Sequence, residues 1–216
     1  MRKHEIFLVW FGIFLIWSLF RASFVFPEWV DELLVKPLVF VVPVLIVVHF
    51  IEKRGIGSLG LVQKPAAFLQ DLYLGVAIGA LFAIEGMVAN YLKYGTVSFG
   101  PILAVKLTGG LGTFLVLNFF TSVWEEILGR GYLYKRMNEF SKNQFWAAVS
   151  SSFLFLLLHI PIVFTRLHLT GVALVVYPIS ILLLGITNSY LYSFRKSLTL
   201  PILVHTFWNL TVALFL

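Results

Sequence analysis

Three groups of polar residues stand in segments of this chain that are otherwise apolar. The groups are Glu125-Glu126 with Arg130, then His159, and then His205 with Asn209. Ionisable side chains are costly inside a bilayer, so their presence there indicates a functional site. Carboxylates and imidazoles can activate water, and a His beside an Asn supplies two donors that can stabilise an oxyanion. The residue types therefore predict a water-activating hydrolase site inside a membrane.

Helical spacing gives the two adjacent glutamates different roles. Neighbouring residues on a helix point about 100° apart, so Glu125 and Glu126 face different directions. Glu126 and Arg130 are four residues apart, in the order that pairs best on a helix, which predicts a structural ion pair. Glu125 is then free to act as a general base. Gly129, four residues further on, is expected to leave open space for water or substrate.

Each group also has a purely structural interpretation when it is considered alone. A single histidine inside the membrane often serves only as a hydrogen-bond partner between helices, and His205 with Asn209 could join helices in the same way. The coincidence of all three groups in one chain favours a functional site over three separate structural contacts.

The composition is that of a membrane protein. Of 216 residues, 60% are hydrophobic and 12% are charged, whereas a soluble domain carries about 25% charged residues. The chain has no cysteine, which excludes a disulfide framework, a cysteine nucleophile and thiolate metal ligands. The net charge of +6 comes from basic residues scattered in short loops. That pattern records membrane topology, so the expected environment is the lipid bilayer and no nucleic-acid partner is expected.

Seven apolar runs approach the length of about 20 residues that a spanning helix needs. They cover about residues 5–22, 35–51, 67–90, 103–129, 143–165, 170–192 and 199–216. The predicted fold is all-α, a polytopic transmembrane helical bundle of about seven helices. The acidic stretch after Pro27, which contains Glu28, Asp31 and Glu32, is assigned to the first loop.

Basic residues orient this bundle in the membrane. With the N-terminus inside, the inner loops hold about twice as many Lys and Arg residues as the outer loops, where Arg21 and Lys36 are counted. This excess predicts a cytoplasmic N-terminus. The protein is expected to be an integral, multi-pass protein of a prokaryotic plasma membrane.

The expected depths of the polar groups below the inner membrane surface are only partly consistent with one shared site. Glu125 and His205 lie nine or ten residues from the nearest inner-loop lysine, or roughly 14–15 Å at 1.5 Å per residue. His159 lies seventeen residues beyond Lys142, or about 25 Å by the same rule. One shared site therefore requires the fifth helix to start late, to tilt strongly or to break near Pro161.

The three groups resemble the ordered motifs of the CPBP family of intramembrane proteases. That family includes CAAX prenyl proteases of the Ras-converting type and bacteriocin-processing and self-immunity proteins. Its motifs stand here as Glu125-Glu126-xxx-Arg130, Phe155-xxx-His159 and His205-xxx-Asn209. The resemblance covers about residues 105–216, expected to form the catalytic core helices. Residues 1–104 are expected to be N-terminal helices of the same continuous membrane domain.

The resemblance implies an endopeptidase that acts on a membrane-associated peptide or protein, with a prenylated C-terminus as one possible target. Glu125 and His159 would activate a water, while His205 and Asn209 would hold the carbonyl oxygen in the transition state. Glu126 and Arg130 would support the site.

A metal ion is the open question of this mechanism. Glu125, His159 and His205 would form a His₂Glu set suited to zinc. The compact H-E-x-x-H signature of zinc proteases is absent from the chain, which favours a mechanism without a cofactor.

Two interpretations from other functional classes stay open. The same polar cluster could belong to a non-catalytic membrane scaffold, such as a bacteriocin self-immunity or regulatory protein. It could also belong to a small transporter whose buried acid and histidines relay protons.

Overall fold

All regular structure in the described part of the chain is helical. The computed structural model describes residues 3–97, 105–106 and 108–215. Six helices there are long and apolar enough to span a membrane: α1 (Lys3–Ser23), α2 (Glu28–Ile51), α3 (Pro65–Tyr94), α4 (Leu111–Ser141), α5 (Gln144–Leu167) and α6 (Ala173–Arg195). A shorter apolar helix, α7 (Thr199–Phe215), follows. The predicted all-α transmembrane bundle is confirmed, and its seventh helix is shorter than a usual span.

Helix α2 begins where the sequence predicts a loop. The loop after α1 ends at Pro27, whose extended backbone directly precedes the first helical turn. Asp31 and Glu32 lie inside the helix and are buried, because Arg21 contacts Asp31 at 2.7 Å and Lys36 contacts Glu32 at 2.5 Å. The loop prediction for this stretch is wrong. Asp31 and Glu32 are neutralised by partners within the protein, and Lys36 does not belong to an outer loop.

Helix α4 runs further than the sequence predicts. The predicted end near residue 129 is wrong, because the helix continues to Ser141 and stops at Lys142, which has a left-handed backbone with φ of 52°. Arg136 is buried in this last part and contacts Glu52 at 2.7 Å. This ion pair explains how a basic residue can lie in a closely packed helix end. The predicted start near 103 falls on residues 103 and 104, which lie outside the described residues.

Helix α5 breaks beside its histidine. The residue Pro161 has no backbone N–H and disturbs the helical turn before it. The N–H groups of Leu158 and His159 therefore bond three residues back, to Phe155 O at 3.2 Å and Leu156 O at 2.9 Å. The break near the proline is observed, but it does not set the depth of His159. Glu125 and His159 lie at the same depth because α4 runs to Ser141, which leaves each of them seventeen residues from Lys142.

Two tryptophans of α1 support this break. Trp10 Nε1 donates to Leu154 O at 3.0 Å, and Trp17 Nε1 donates to Leu158 O at 3.1 Å. The carbonyl of Leu154 has lost its usual helical donor, because the N–H of Leu158 bonds elsewhere. An unsatisfied carbonyl is costly in lipid, so the indoles stabilise the irregular backbone next to His159.

Helix α7 packs closely on α3 through glycines. A side chain at Gly75 would place its Cβ 2.6 Å from Leu203, and one at Gly79 would overlap the ring of Phe207. Small residues allow two helices to approach in this way. His205 lies midway between Leu203 and Phe207 in sequence, so it points to the opposite side of α7, toward α4. The close contact with α3 therefore fixes the direction of His205.

Candidate active site

The two adjacent glutamates lie in the middle of α4, inside the bundle. Glu125 is 6% exposed and Glu126 is fully buried. Directly after them the backbone widens into π-helical turns over Ile127–Tyr134, a stretch that is buried throughout.

Glu126 is the acceptor of three donors from three helices. Its Oε1 atom lies 2.9 Å from Arg130 Nη1, 2.9 Å from Asn188 Nδ2 and 2.8 Å from His205 Nδ1. The predicted Glu126–Arg130 ion pair is present. Glu126 does more than balance Arg130, however, because it also holds the imidazole of His205 and connects α4 to α6 and α7.

Glu125 faces a lysine and both histidines. Its Oε1 atom accepts a hydrogen bond from Lys36 Nζ at 3.0 Å. Its Oε2 atom lies 3.6 Å from His159 Nε2 and 3.6 Å from His205 Nε2, too far for direct hydrogen bonds. The structure thus brings the predicted acid and both predicted histidines together. The expectation that Glu125 has no ion-pair partner is wrong, because Lys36 contacts it.

The space beside Gly129 is filled. A Cβ atom at this position would lie 3.4 Å from the ring of Phe155, an ordinary packing contact. The centre of the same ring lies 4.8 Å from the guanidinium carbon of Arg130 and 4.8 Å from the centre of the His159 imidazole. The prediction of open space at Gly129 is therefore wrong. The phenylalanine of the Phe-xxx-His motif occupies it and packs against Arg130 and His159.

The partners of the two histidines identify which ring nitrogens carry hydrogen. His159 Nδ1 lies 3.0 Å from Phe155 O, and His205 Nδ1 lies 2.8 Å from Glu126 Oε1. A carbonyl and a carboxylate oxygen can only accept, so Nδ1 is the donor in both rings. Both rings consequently present Nε2 to Glu125.

Asn209 lies one turn beyond His205 on α7 and is half-buried. Its amide forms no hydrogen bond with any other residue that the structure describes. The structure therefore places it near His205 in the helix but does not bring it into contact with Glu125. Its amide hydrogens are available to an additional group.

Sequence reasoning does not identify three polar residues that complete this cluster. Lys36 and Glu32 come from α2, where Glu32 Oε2 lies 2.5 Å from Lys36 Nζ and accepts from Thr121 Oγ1 at 2.5 Å. Asn188 comes from α6 and donates to Glu126 and to Pro201 O at 3.1 Å. Lys36 and Asn188 carry the signal that identifies the motif residues, a polar side chain within an apolar run. Glu32 lies in the acidic stretch after Pro27 and carries no such signal.

A cavity of about 220 Å³ opens beside His159, between α5 and α6. Apart from His159 its lining is largely apolar, with Leu156, Val163, Leu174 and Tyr177 among the lining residues. The His159 side chain is 17% exposed, against 5% for His205. His159 is therefore the residue of the polar cluster that faces this cavity.

A metal ion at this cluster would have to bind beside the ammonium of Lys36. Among the residues that the structure describes, no group of three or more His, Asp or Glu side chains is placed to hold a metal. The ammonium of Lys36 lies 3.0 Å from Glu125 and would repel a divalent cation that used this carboxylate as a ligand.

Residues 107–211 match the sequence model of a family described as type II CAAX prenyl endopeptidase, Rce1-like. The matched stretch contains all three polar groups and ends two residues after Asn209. Helices α1 to α3 lie outside it. No curated protein and no solved structure gives a significant match to the chain.

Proposed function

Because residues 107–211 belong to the CAAX protease family, we propose that this protein is an intramembrane endopeptidase in which Glu125 and His159 activate a water molecule. Membership in a protease family supports peptidase activity on a membrane-associated peptide. The roles of individual residues rest on the geometry of the cluster.

The observation that carries the proposal is the position of Glu125 Oε2, 3.6 Å from Nε2 of both His159 and His205. Two polar atoms at this separation can both reach one water placed beside them at an ordinary hydrogen-bond distance of about 2.8 Å. The carboxylate and the neutral imidazole of His159 can each accept a hydrogen from that water. This arrangement suits a general base.

The proposed reaction is peptide hydrolysis through a tetrahedral intermediate. The water oxygen bonds to the scissile carbonyl carbon, its proton passes to Glu125, and the carbonyl oxygen becomes an oxyanion. His205 Nε2 and the Asn209 amide donate to that oxyanion. Breakage of the carbon–nitrogen bond then returns the proton to the leaving amine.

Glu126 has a defined part in this scheme. Nδ1 of His205 already carries a hydrogen, so Nε2 can donate to an oxyanion only when the ring is an imidazolium. The Glu126 carboxylate at 2.8 Å offsets that positive charge. The role proposed for His205 therefore depends on Glu126.

The surroundings of His159 indicate the class of substrate. An apolar cavity beside a hydrolytic centre suits an apolar side chain or a prenyl group next to the scissile bond, and such a substrate would approach within the membrane. We propose that the substrate is a membrane-associated peptide or protein, cleaved near its C-terminus. A prenyl group attached to that C-terminus is the more specific form of this proposal.

The proposed orientation rests on the distribution of Lys and Arg along the chain. Arg21 and Lys36 contact buried acids, so they no longer count as outer-loop charges, and the excess of basic residues at the inner ends of the helices increases. We propose a cytoplasmic N-terminus in a prokaryotic plasma membrane.

The test is hydrolysis of quenched peptides, with and without a farnesyl group, by the purified protein in detergent. Glu125→Gln and His159→Ala should each lower kcat/KM by about 10²–10⁴-fold, the usual contribution of a general acid or base. The matched control is Glu85→Gln, which changes an exposed acid on α3 and should have no effect. A folded wild type that cleaves no peptide would favour the scaffold, and proton-coupled flux in vesicles would favour the transporter.

A further inference from the structure

The cation nearest to the proposed base comes from outside the family match. Lys36 lies on α2, and its Nζ atom is 3.0 Å from Glu125 Oε1. We infer that Lys36 is a positioning residue that fixes the orientation of the Glu125 carboxylate and maintains its negative charge. Helix α2 would then complete the active site. This inference rests on the proposed protease function.

Lys36 is itself held from the side opposite Glu125. It is 4% exposed, and Glu32 Oε2 lies 2.5 Å from its ammonium. Glu32 in turn accepts from Thr121 Oγ1 at 2.5 Å, and its backbone carbonyl accepts from Trp124 Nε1 at 2.9 Å. Two residues of α4 therefore anchor the acid that anchors Lys36. An ammonium with two fixed carboxylate partners has little freedom to move.

The contact with Lys36 makes the two oxygens of Glu125 different. Oε1 is occupied by the ammonium, so Oε2 is the oxygen that faces both histidines. The last torsion of a glutamate side chain is broad and would otherwise allow the carboxylate to rotate. A buried carboxylate without a counter-ion also tends to take up a proton, and a protonated acid is not a base.

Other charged and titratable groups also surround Glu125, so Lys36 is one of several groups that influence the charge of this carboxylate. They come from every helix packed around it: Glu32, Glu126, Arg130, His159, Tyr177 and His205. Only Lys36 has a direct hydrogen bond to the Glu125 carboxylate among the contacts of the described residues.

A purely structural role for Lys36 is the competing explanation. Buried ion pairs contribute little net stability compared with apolar side chains of similar size. The chain also offers a matched pair elsewhere, because Arg136 is 3% exposed and contacts Glu52 at 2.7 Å. Arg136 belongs to the other end of α4 and has no contact with the site. Its removal tests the effect of losing a buried cation alone.

The experiment measures kcat and KM for a peptide that the wild type cleaves, per folded molecule in detergent. Lys36→Met should lower kcat by about 10²-fold, the scale expected for misplacing a catalytic group by about 1 Å, with KM unchanged. Lys36→Arg keeps the charge and should recover part of the loss. Arg136→Met should leave kcat per folded molecule unchanged.

A second variant keeps the inference testable if the Lys36→Met protein does not fold. Glu32→Gln is nearly the same size and keeps the Lys36–Glu125 contact, but it removes the competing acid. Lys36 should then hold Glu125 more tightly and reduce its ability to accept a proton, which lowers kcat by about tenfold.

The outcomes separate the two proposals. If the wild type cleaves peptides and Lys36→Met keeps full kcat, as Arg136→Met is expected to do, the inference about Lys36 is overturned and the protease proposal stands. If Lys36→Met does not fold, full kcat in Glu32→Gln has the same meaning. If the folded wild type cleaves none of the peptides, the protease proposal and the role of Lys36 in it are both overturned.

Discussion

The Glu126→Gln substitution is the most informative perturbation of the buried cluster. The new side-chain amide oxygen would still be able to accept from the donors that now bond to Glu126 Oε1, so the geometry can survive. The negative charge is lost, and the guanidinium of Arg130, which is 1% exposed, becomes an unpaired buried cation. We expect both the stability and the activity to fall, for two separable reasons.

The expected loss of stability follows from this unpaired charge. Removing one partner of a buried ion pair typically lowers the free energy of unfolding by about 3–5 kcal/mol. The double variant Glu126→Gln/Arg130→Met buries no charge at this place, and its loss should be less than about 2 kcal/mol. The activity should not return with the stability. His205 would lack the carboxylate that offsets its imidazolium, and losing one oxyanion donor costs about 10²–10³-fold in kcat.

The assay combines reversible unfolding in mixed micelles with peptide hydrolysis corrected for the folded fraction. A single variant as stable as the wild type would show that the argument about the unpaired charge is wrong. A double variant that regains both stability and kcat would show that Glu126 serves only as a counter-ion for Arg130, and would refute its action through His205.

Three further results are expected. Gly185→Ala would place a Cβ 2.7 Å from Ser152 Oγ and should lower the free energy of unfolding by about 1–3 kcal/mol. Gly112→Ala, which meets nothing within 4 Å, is the control, and equal losses would contradict the packing argument. Trp17→Phe removes the donor to Leu158 O and should destabilise the protein by about 1–3 kcal/mol; an unchanged unfolding curve would argue against that role. A chelator should leave peptide hydrolysis unchanged, because the Lys36 ammonium lies 3.0 Å from Glu125 and would repel a divalent cation there; inhibition reversed by zinc would overturn this expectation.

Local spacing predicts the parts of the site that lie within one helix. Glu126 and Arg130 are four residues apart and do form an ion pair. The proline at position 161 likewise indicates a possible break in α5, and the helix is broken there. Such features depend on helix geometry and on the backbone of a few residues, which the sequence states directly.

Contacts between distant segments decide the features that the sequence does not predict. Whether Glu32 is solvated in a loop or buried in a helix depends on Thr121, which is 89 residues away. The contact between Lys36 and Glu125 spans the same interval. The filling of the space at Gly129 depends on Phe155 from another helix. A hydropathy pattern contains no information about these partners, so acids near Pro27 are indistinguishable from acids in a loop.

The charged residues of α2 also bear on how the protein assembles during synthesis. A single charge at the centre of a spanning helix costs about 2.5–3.5 kcal/mol on insertion. Glu32 and Lys36 are one turn apart and can enter the membrane as a neutral pair, and Arg21 precedes Asp31 by only ten residues. Glu125 follows Lys36 by 89 residues. Helix α2 is therefore expected to insert into the bilayer before α4, with its charges paired to residues nearby in sequence. Lys36 would form its contact with Glu125 only after α4 has inserted.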